Sequence, residues 1–304
     1  PIRVSAPNGP ETGAPLPRFI VRGARLDQAG AGPAGFTGGA RQDGTFQVPN
    51  LPSGDYRVVV RRLAGGPQNQ AMATETVSVG SADVEGLVMQ VSPGFTVAGQ
   101  VLVEGEQAPP VSPRTLRVSL LPAETGMMMM GTRPGTPAED GSFRMEGVAP
   151  GKYRVAPANT AAAYLADVVI GGQSYFGKEI DLTGGVPGPL RIVYRTDGAS
   201  VSGTVETGED KPVTPPVAVI VPAETELLSA IQPRQANVDE AGAFQFSNLR
   251  PGEYLLWVFD DADLNEMSDP DFLLTVQERA VKVRVKAGES VTAKASLTAW
   301  PREY

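Results

Sequence analysis

Two short stretches of this 304-residue chain carry side chains that could do chemistry by themselves. "DDADLNEMSDPD" gathers Asp260, Asp261, Asp263, Asp269 and Asp271, with Asn265, into one run. Oxygen ligands at near-alternate positions suit Ca²⁺, which takes six to eight of them. The run departs from the EF-hand loop, having Asn rather than Gly at its sixth position and Asp rather than Glu at its twelfth. A solvated acidic loop is the plainer reading, and calcium is the alternative. "TGMMMMG" sets Met127, Met128, Met129 and Met130 side by side. Thioethers bind Cu(I), but four adjacent Met cannot converge on one ion without contortion. A soft apolar surface for a protein contact, or a partly buried loop, is the expectation.

What is missing closes more chemistry than these stretches open. The chain has no His and no Cys. That removes a Ser-His-Asp triad, a Cys nucleophile, disulfides and any zinc or copper site built on imidazole or thiolate. Paired carboxylates for glycosidic chemistry survive by composition alone, but short-looped repeats offer clefts only at their junctions. No enzyme is expected, and no cofactor other than calcium. The net charge of −8 is unevenly spread. Residues 1–94 carry 8 basic and 7 acidic side chains, 95–198 carry 9 and 10, and 199–304 carry 9 and 17. No dense basic stripe exists, so nucleic acid is not an expected partner. No apolar run reaches eighteen residues, so no membrane span is expected. The opening "PIRVSAPNGPETG" has no charged-then-apolar signal pattern, so any export signal is expected to have been removed or to lie outside the chain.

The elements that must position these residues are written three times. Phe46, Phe143 and Phe244 stand 97 and 101 residues apart, and Tyr56, Tyr153 and Tyr254 each follow ten residues later. A Gly precedes each Phe by two and each Tyr by two. The first Gly of each set takes the positive φ of a tight turn, and the alternation after Phe suits a half-buried strand. "NLPSG", "GVAPG" and "NLRPG" then make a second turn before Tyr opens the next strand. Tyr can bury its ring while its hydroxyl reaches a partner, so the six Phe and Tyr are expected to be core staples.

The flanking segments repeat as well. "FTVAGQVLV" and "ASVSGTVE" open the second and third units, followed by "PRTLRVSLLPAET" and "PVAVIVPAET"; "PRFIVRGARL" fills the latter slot in the first. Alternating segments at 76–79, 87–91, 167–170, 190–195, 281–285 and 291–297 close the units. Six or seven strands per hundred residues, with a turn about every ten, predict an all-β fold of three tandem β-sandwiches strung into a rod. Their boundaries fall at 1–94, 95–198 and 199–304. The pattern resembles the carboxypeptidase regulatory-like domain, related in layout to the B-type repeats of Gram-positive adhesins, and the resemblance implies that each sandwich is of the transthyretin-like or Ig-like kind. The stretches Asp167–Gly185 and Pro251–Leu273 resemble the C-terminal part of large secreted acidobacterial-type proteins. The resemblance implies an accessory or structural module at the cell surface or outside the cell, not a catalytic domain. Adhesin repeats of this kind often carry a Lys–Asn isopeptide bond. Here residues 1–94 hold no Lys, and no Asn follows Asn265, so no such cross-link is expected.

Counting back 44 residues from Phe143 reaches Gly99, whereas the same count from Phe46 reaches Ile2. The first strand of the first unit is therefore expected to be incomplete. That fits either a fragment of a longer protein or an edge, near Ile2 and Val4, that takes a strand from another copy. Met127–Met130 would be a second contact surface. The expected function is a non-enzymatic bacterial surface filament or stalk that self-associates or belongs to a larger surface protein. The alternative is a carbohydrate- or protein-binding accessory module of a larger secreted protein.

Overall fold

The computed structural model describes residues 2–5, 18–26, 35–41, 43–62, 71–105, 111–123, 134–158, 160, 162–206 and 215–301. These residues are almost entirely strand and turn; the only α-helix among them is the seven-residue Pro270–Val276.

The second repeat displays the plan clearly. Five strands lie in the order Ser142–Val148, Phe95–Glu104, Leu190–Arg195, Tyr164–Ile170 and Gln173–Ser174. A second sheet has the order Ser119–Pro122, Lys152–Ala156, Ile180–Asp181. Val97, Phe143 and Ile192 from the first sheet share one buried cluster with Leu120, Tyr153 and Ile180 from the second, which makes the pair a sandwich. The first repeat has a five-stranded sheet, Gly35–Gly39, Phe19–Arg25, Gly54–Arg62, Ala71–Val79 and Ser92–Pro93, and a three-stranded one, Thr45–Phe46, Ile2–Ser5 and Val88–Gln90. In the third repeat, Ser290–Thr298 pairs with Ala199–Glu206 along most of its length and with Gly252–Phe259 at its end, joining the two sheets into one.

One register recurs. Gly99 pairs antiparallel with Phe143 and parallel with Leu190. Gly203 pairs antiparallel with Phe244 and parallel with Ala293. Ile2 stands opposite Phe46, and its neighbour Arg3 pairs in parallel with Val88. The count of 44 residues thus lands on the equivalent register. The glycines have a steric cause: a Cβ on Gly99 would lie 2.2 Å from the Leu190 carbonyl oxygen and 2.7 Å from Phe143 Cζ. On Gly203 it would meet Phe244 Cζ at 2.3 Å and the Ala293 oxygen at 2.5 Å. The Phe ring lies across the glycine, filling the volume a side chain would otherwise take.

The repeated turns use local chemistry. Gly44, Gly141 and Gly242 have φ of 79°, 81° and 78°, a region that disfavours a Cβ. In the first two turns the preceding Asp closes the loop: Asp140 Oδ1 accepts from the Ser142 N–H at 2.9 Å and hydroxyl at 2.7 Å, and Asp43 does the same with Thr45. These hydrogen bonds hold both carboxyls below the usual carboxylate value. The third turn has Ala241 in that place, and Asp239 takes over, accepting from the Ala243 N–H at 2.7 Å.

Element bounds differ from the sequence expectation in two instructive places. The second-repeat segment begun by Pro113 is a 3-10 turn over Pro113–Thr115, and the strand starts only at Ser119. The acidic run around Asp260–Asp271, expected as a loop, instead begins a layer of short helices: Glu266–Ser268, Pro270–Val276 and Gln277–Arg279. This layer covers the outer face of the third repeat's sheet. Met267, Phe272, Leu273 and Val276 pack on Val219, Val221, Trp257 and Phe259 in a cluster separate from the sandwich core. It explains why Val217–Pro222 and Gly252–Phe259 read as continuous apolar runs: both faces of these strands are buried.

Candidate functional site

The three repeated tyrosines act alike. Tyr56 donates its hydroxyl to the Pro52 carbonyl at 2.9 Å, Tyr153 to Ala149 at 2.9 Å and Tyr254 to Arg250 at 2.7 Å, each four residues upstream. Each ring is 2–3 % exposed, as are Phe46 and Phe143, and Phe244 is 4 % exposed. This is the tyrosine-corner geometry of Ig-like sandwiches. Burial pushes Tyr153 up and Tyr254 up to about 12, so both stay protonated donors.

The acidic run spends its carboxylates on nearby backbone. Asp260 Oδ1 accepts from the Trp300 N–H at 2.8 Å, Asp261 from Ala262 at 2.9 Å and Asp263 from Asn265 at 2.8 Å. Asp269 caps the helix by accepting from the Asp271 N–H at 2.9 Å, with Pro270 in the first turn. Among the described residues no group of three or more carboxylates is placed to hold a metal ion. Ile2 and Val4 lie in the strand between Thr45–Phe46 and Val88–Gln90. Met127, Met128, Met129 and Met130 lie outside the described residues.

A charged cluster that sequence reasoning did not find gathers where the second repeat meets the third. Arg195 holds Asp197 through two bonds, Nε to Oδ1 at 2.9 Å and Nη2 to Oδ2 at 2.5 Å. Its Nη1 reaches Glu104 at 3.5 Å, and Tyr164 donates to Asp197 Oδ1 at 3.0 Å. The Arg195 bond, and then Tyr164, hold the Asp197 carboxyl below its usual value. Asp197 in turn raises Arg195, and burial with the Asp197 bond pushes Tyr164 up to about 12. Across the junction, the Arg250 guanidinium lies 4.2 Å from the Phe176 ring centroid, and its Nη2 donates to the Ala166 carbonyl at 3.5 Å. Chemically the cluster is saturated: the carboxylate is filled by donors, and the tyrosine is committed as one. It is built to hold, not to react. The sequence signals were slight, an Asp in "TDGA" and an Arg in "NLRPG" where the other repeats have Pro or Ala.

No family model matches the chain, and no curated protein does. Solved structures similar to it include a streptococcal ancillary pilin, 12% identical over 97% of this chain and 98% of that one, with a TM-score of 0.28. Another is BcpA, the major pilin subunit of Bacillus cereus, 9% identical over 97% of each chain with a TM-score of 0.23. A third is the Bacillus anthracis TIE protein, 12% identical over 97% of this chain with a TM-score of 0.24; this chain spans about half of that protein, 49%. No helix among the described residues is long and apolar enough to cross a membrane.

Proposed function

We propose that the chain is a non-enzymatic structural protein of the bacterial exterior, a subunit of a surface filament or stalk that self-associates. Its carboxypeptidase regulatory-like sandwiches, divided near Gly94 and Gly198, are strung into a rod. The observation that carries this reading is the recurring register: Ile2, Gly99 and Gly203 each occupy the same place opposite the repeat's Phe. The polar side chains singled out from sequence serve the same end, in turns, corners and a helix cap. Repetition of one packed unit adds length and lateral surface without needing a reactive centre.

The finer form of this reading puts the joint between copies at the first repeat, where a neighbouring copy would add a strand of alternating apolar residues by β-augmentation. Val48 and Leu51, at the edge of that repeat's core, would meet the donated side chains. A head-to-tail contact of this kind does not close and so produces filaments. Negative-stain electron microscopy of the native material at several concentrations tests the proposal. Fibres with an axial repeat near three sandwiches are the expected result. Isolated short rods at every concentration would overturn the filament and leave a stalk or binding module.

A further inference from the structure

We propose that the second and third repeats form one rigid body, with the Tyr175–Lys178 loop of the second serving as the docking surface for the third, and that bending of the chain is concentrated between the first and second repeats. Motion between linked domains is the default unless the interface opposes it, so the contacts at this junction must be strong and must come from more than one place. Three sets do so. The linker residue Asp197 is tied on both sides: its carboxylate is held by Arg195 and Tyr164, and its own carbonyl accepts from the Gly288 N–H of the third repeat at 2.7 Å. Next to it, Gly198 packs so closely on the Asn248 backbone that a Cβ would lie 2.6 Å from its Cα.

The other two sets stand away from the linker. Arg250 rises from the third repeat's tyrosine corner, stacks on Phe176 and bonds the Ala166 carbonyl. Beside Phe176, the space next to Gly177 is closed by Leu227 and Ala230, from the short helix Thr225–Ser229 and the residue after it, at 3.7 Å from where a Cβ would stand. A linker alone permits swivelling. A linker with two lateral contacts from different loops resists both bend and twist.

Among the described residues, the first junction does not repeat the Asp and the Arg that do this. Gly94 packs on Gly147 as Gly198 packs on Asn248, which aligns the two joints residue by residue. Pro93 then stands in the place of Asp197, without a carboxylate. Ala149, whose carbonyl accepts from Tyr153, stands in the place of Arg250, without a guanidinium.

The absence of Cys makes the test direct. Gln47, Arg144 and Gln245 are equivalent exposed positions, each one residue beyond the repeat's Phe. Spin labels are attached to full chains carrying Gln47→Cys with Arg144→Cys, or Arg144→Cys with Gln245→Cys, and distance distributions are recorded by double electron–electron resonance. The 144–245 distribution is expected to be the narrower, and to broaden when Arg250→Ala and Phe176→Ala are added. The Tyr254 bond uses the backbone of residue 250, so Arg250→Ala leaves the corner intact. A 144–245 distribution as broad as 47–144 in the unmodified chain overturns the proposal, whatever the variant does. So does a folded double variant whose 144–245 distribution is unchanged.

Discussion

Adding a single methyl group at Gly203 should cost the third repeat about 3 kcal/mol, near the top of the overpacking range. The new Cβ would sit 2.3 Å from Phe244 Cζ and 2.5 Å from the Ala293 carbonyl oxygen, where ordinary contact begins near 3.4 Å. About 1 Å of relief is needed on two sides at once. The Phe244 ring can tilt only into a filled core, where it packs 6.1 Å from the Phe246 ring. The Ala293 carbonyl cannot rotate away, because it belongs to the parallel ladder between Ala199–Glu206 and Ser290–Thr298. For a repeat of about a hundred residues unfolding on its own, that loss corresponds to a melting shift on the order of 10 °C or more. Urea titration and thermal melts followed by circular dichroism measure it, with Gly184→Ala as the control, since nothing lies within 4 Å of that site. The control should fall within about 0.5 kcal/mol of the parent. If Gly203→Ala costs no more than Gly184→Ala, the steric account of the repeated glycine is wrong. A cycle with Phe244→Leu separates the two clashes: the ring's share appears as coupling, and the carbonyl's share persists.

Two further outcomes follow from the polar groups. Tyr153→Phe should destabilise by about 1–2 kcal/mol in denaturant titration, because it strands the Ala149 carbonyl within a fully buried bond; Tyr56→Phe and Tyr254→Phe, whose bonds are part-buried, should cost less, and a neutral Tyr153→Phe would sink the corner's role. Asp197 is held below its usual 3.8, so its stabilising effect is present above that value and is lost as pH falls through the lower folded value. Asp197→Asn should therefore be less stable than the parent at neutral pH, and the two should converge in strong acid; a gap that stays constant with pH would refute the ion pair's contribution.

Much of the fold was legible because its signals are local. "DG-x-F" and "PG-x-Y" place a turn, a strand start and a buried aromatic within a dozen residues, and those instructions do not depend on what packs above them. A count of 44 residues back from the Phe places Ile2 at the register of Gly99, and the pairing agrees. What periodicity cannot say is which neighbour covers a face. Trp257 alternates correctly for a strand, yet its ring lies under the helix Pro270–Val276, with Nε1 donating to the Val276 carbonyl at 2.9 Å. The acidic run read as a solvated loop because its charges are plentiful, while Met267, Phe272 and Leu273 find their apolar surface only once the sheet exists. The joint was invisible for the same reason. Arg250 meets Ala166 across 84 residues of chain and Arg195 meets Glu104 across 91, and no local pattern encodes a partner so remote. Sequence determined the repeat, its turns and its buried aromatics, which are properties of short segments. Tertiary structure alone decided the outer helical layer and the locked junction, because both arise where surfaces built by distant segments come into contact.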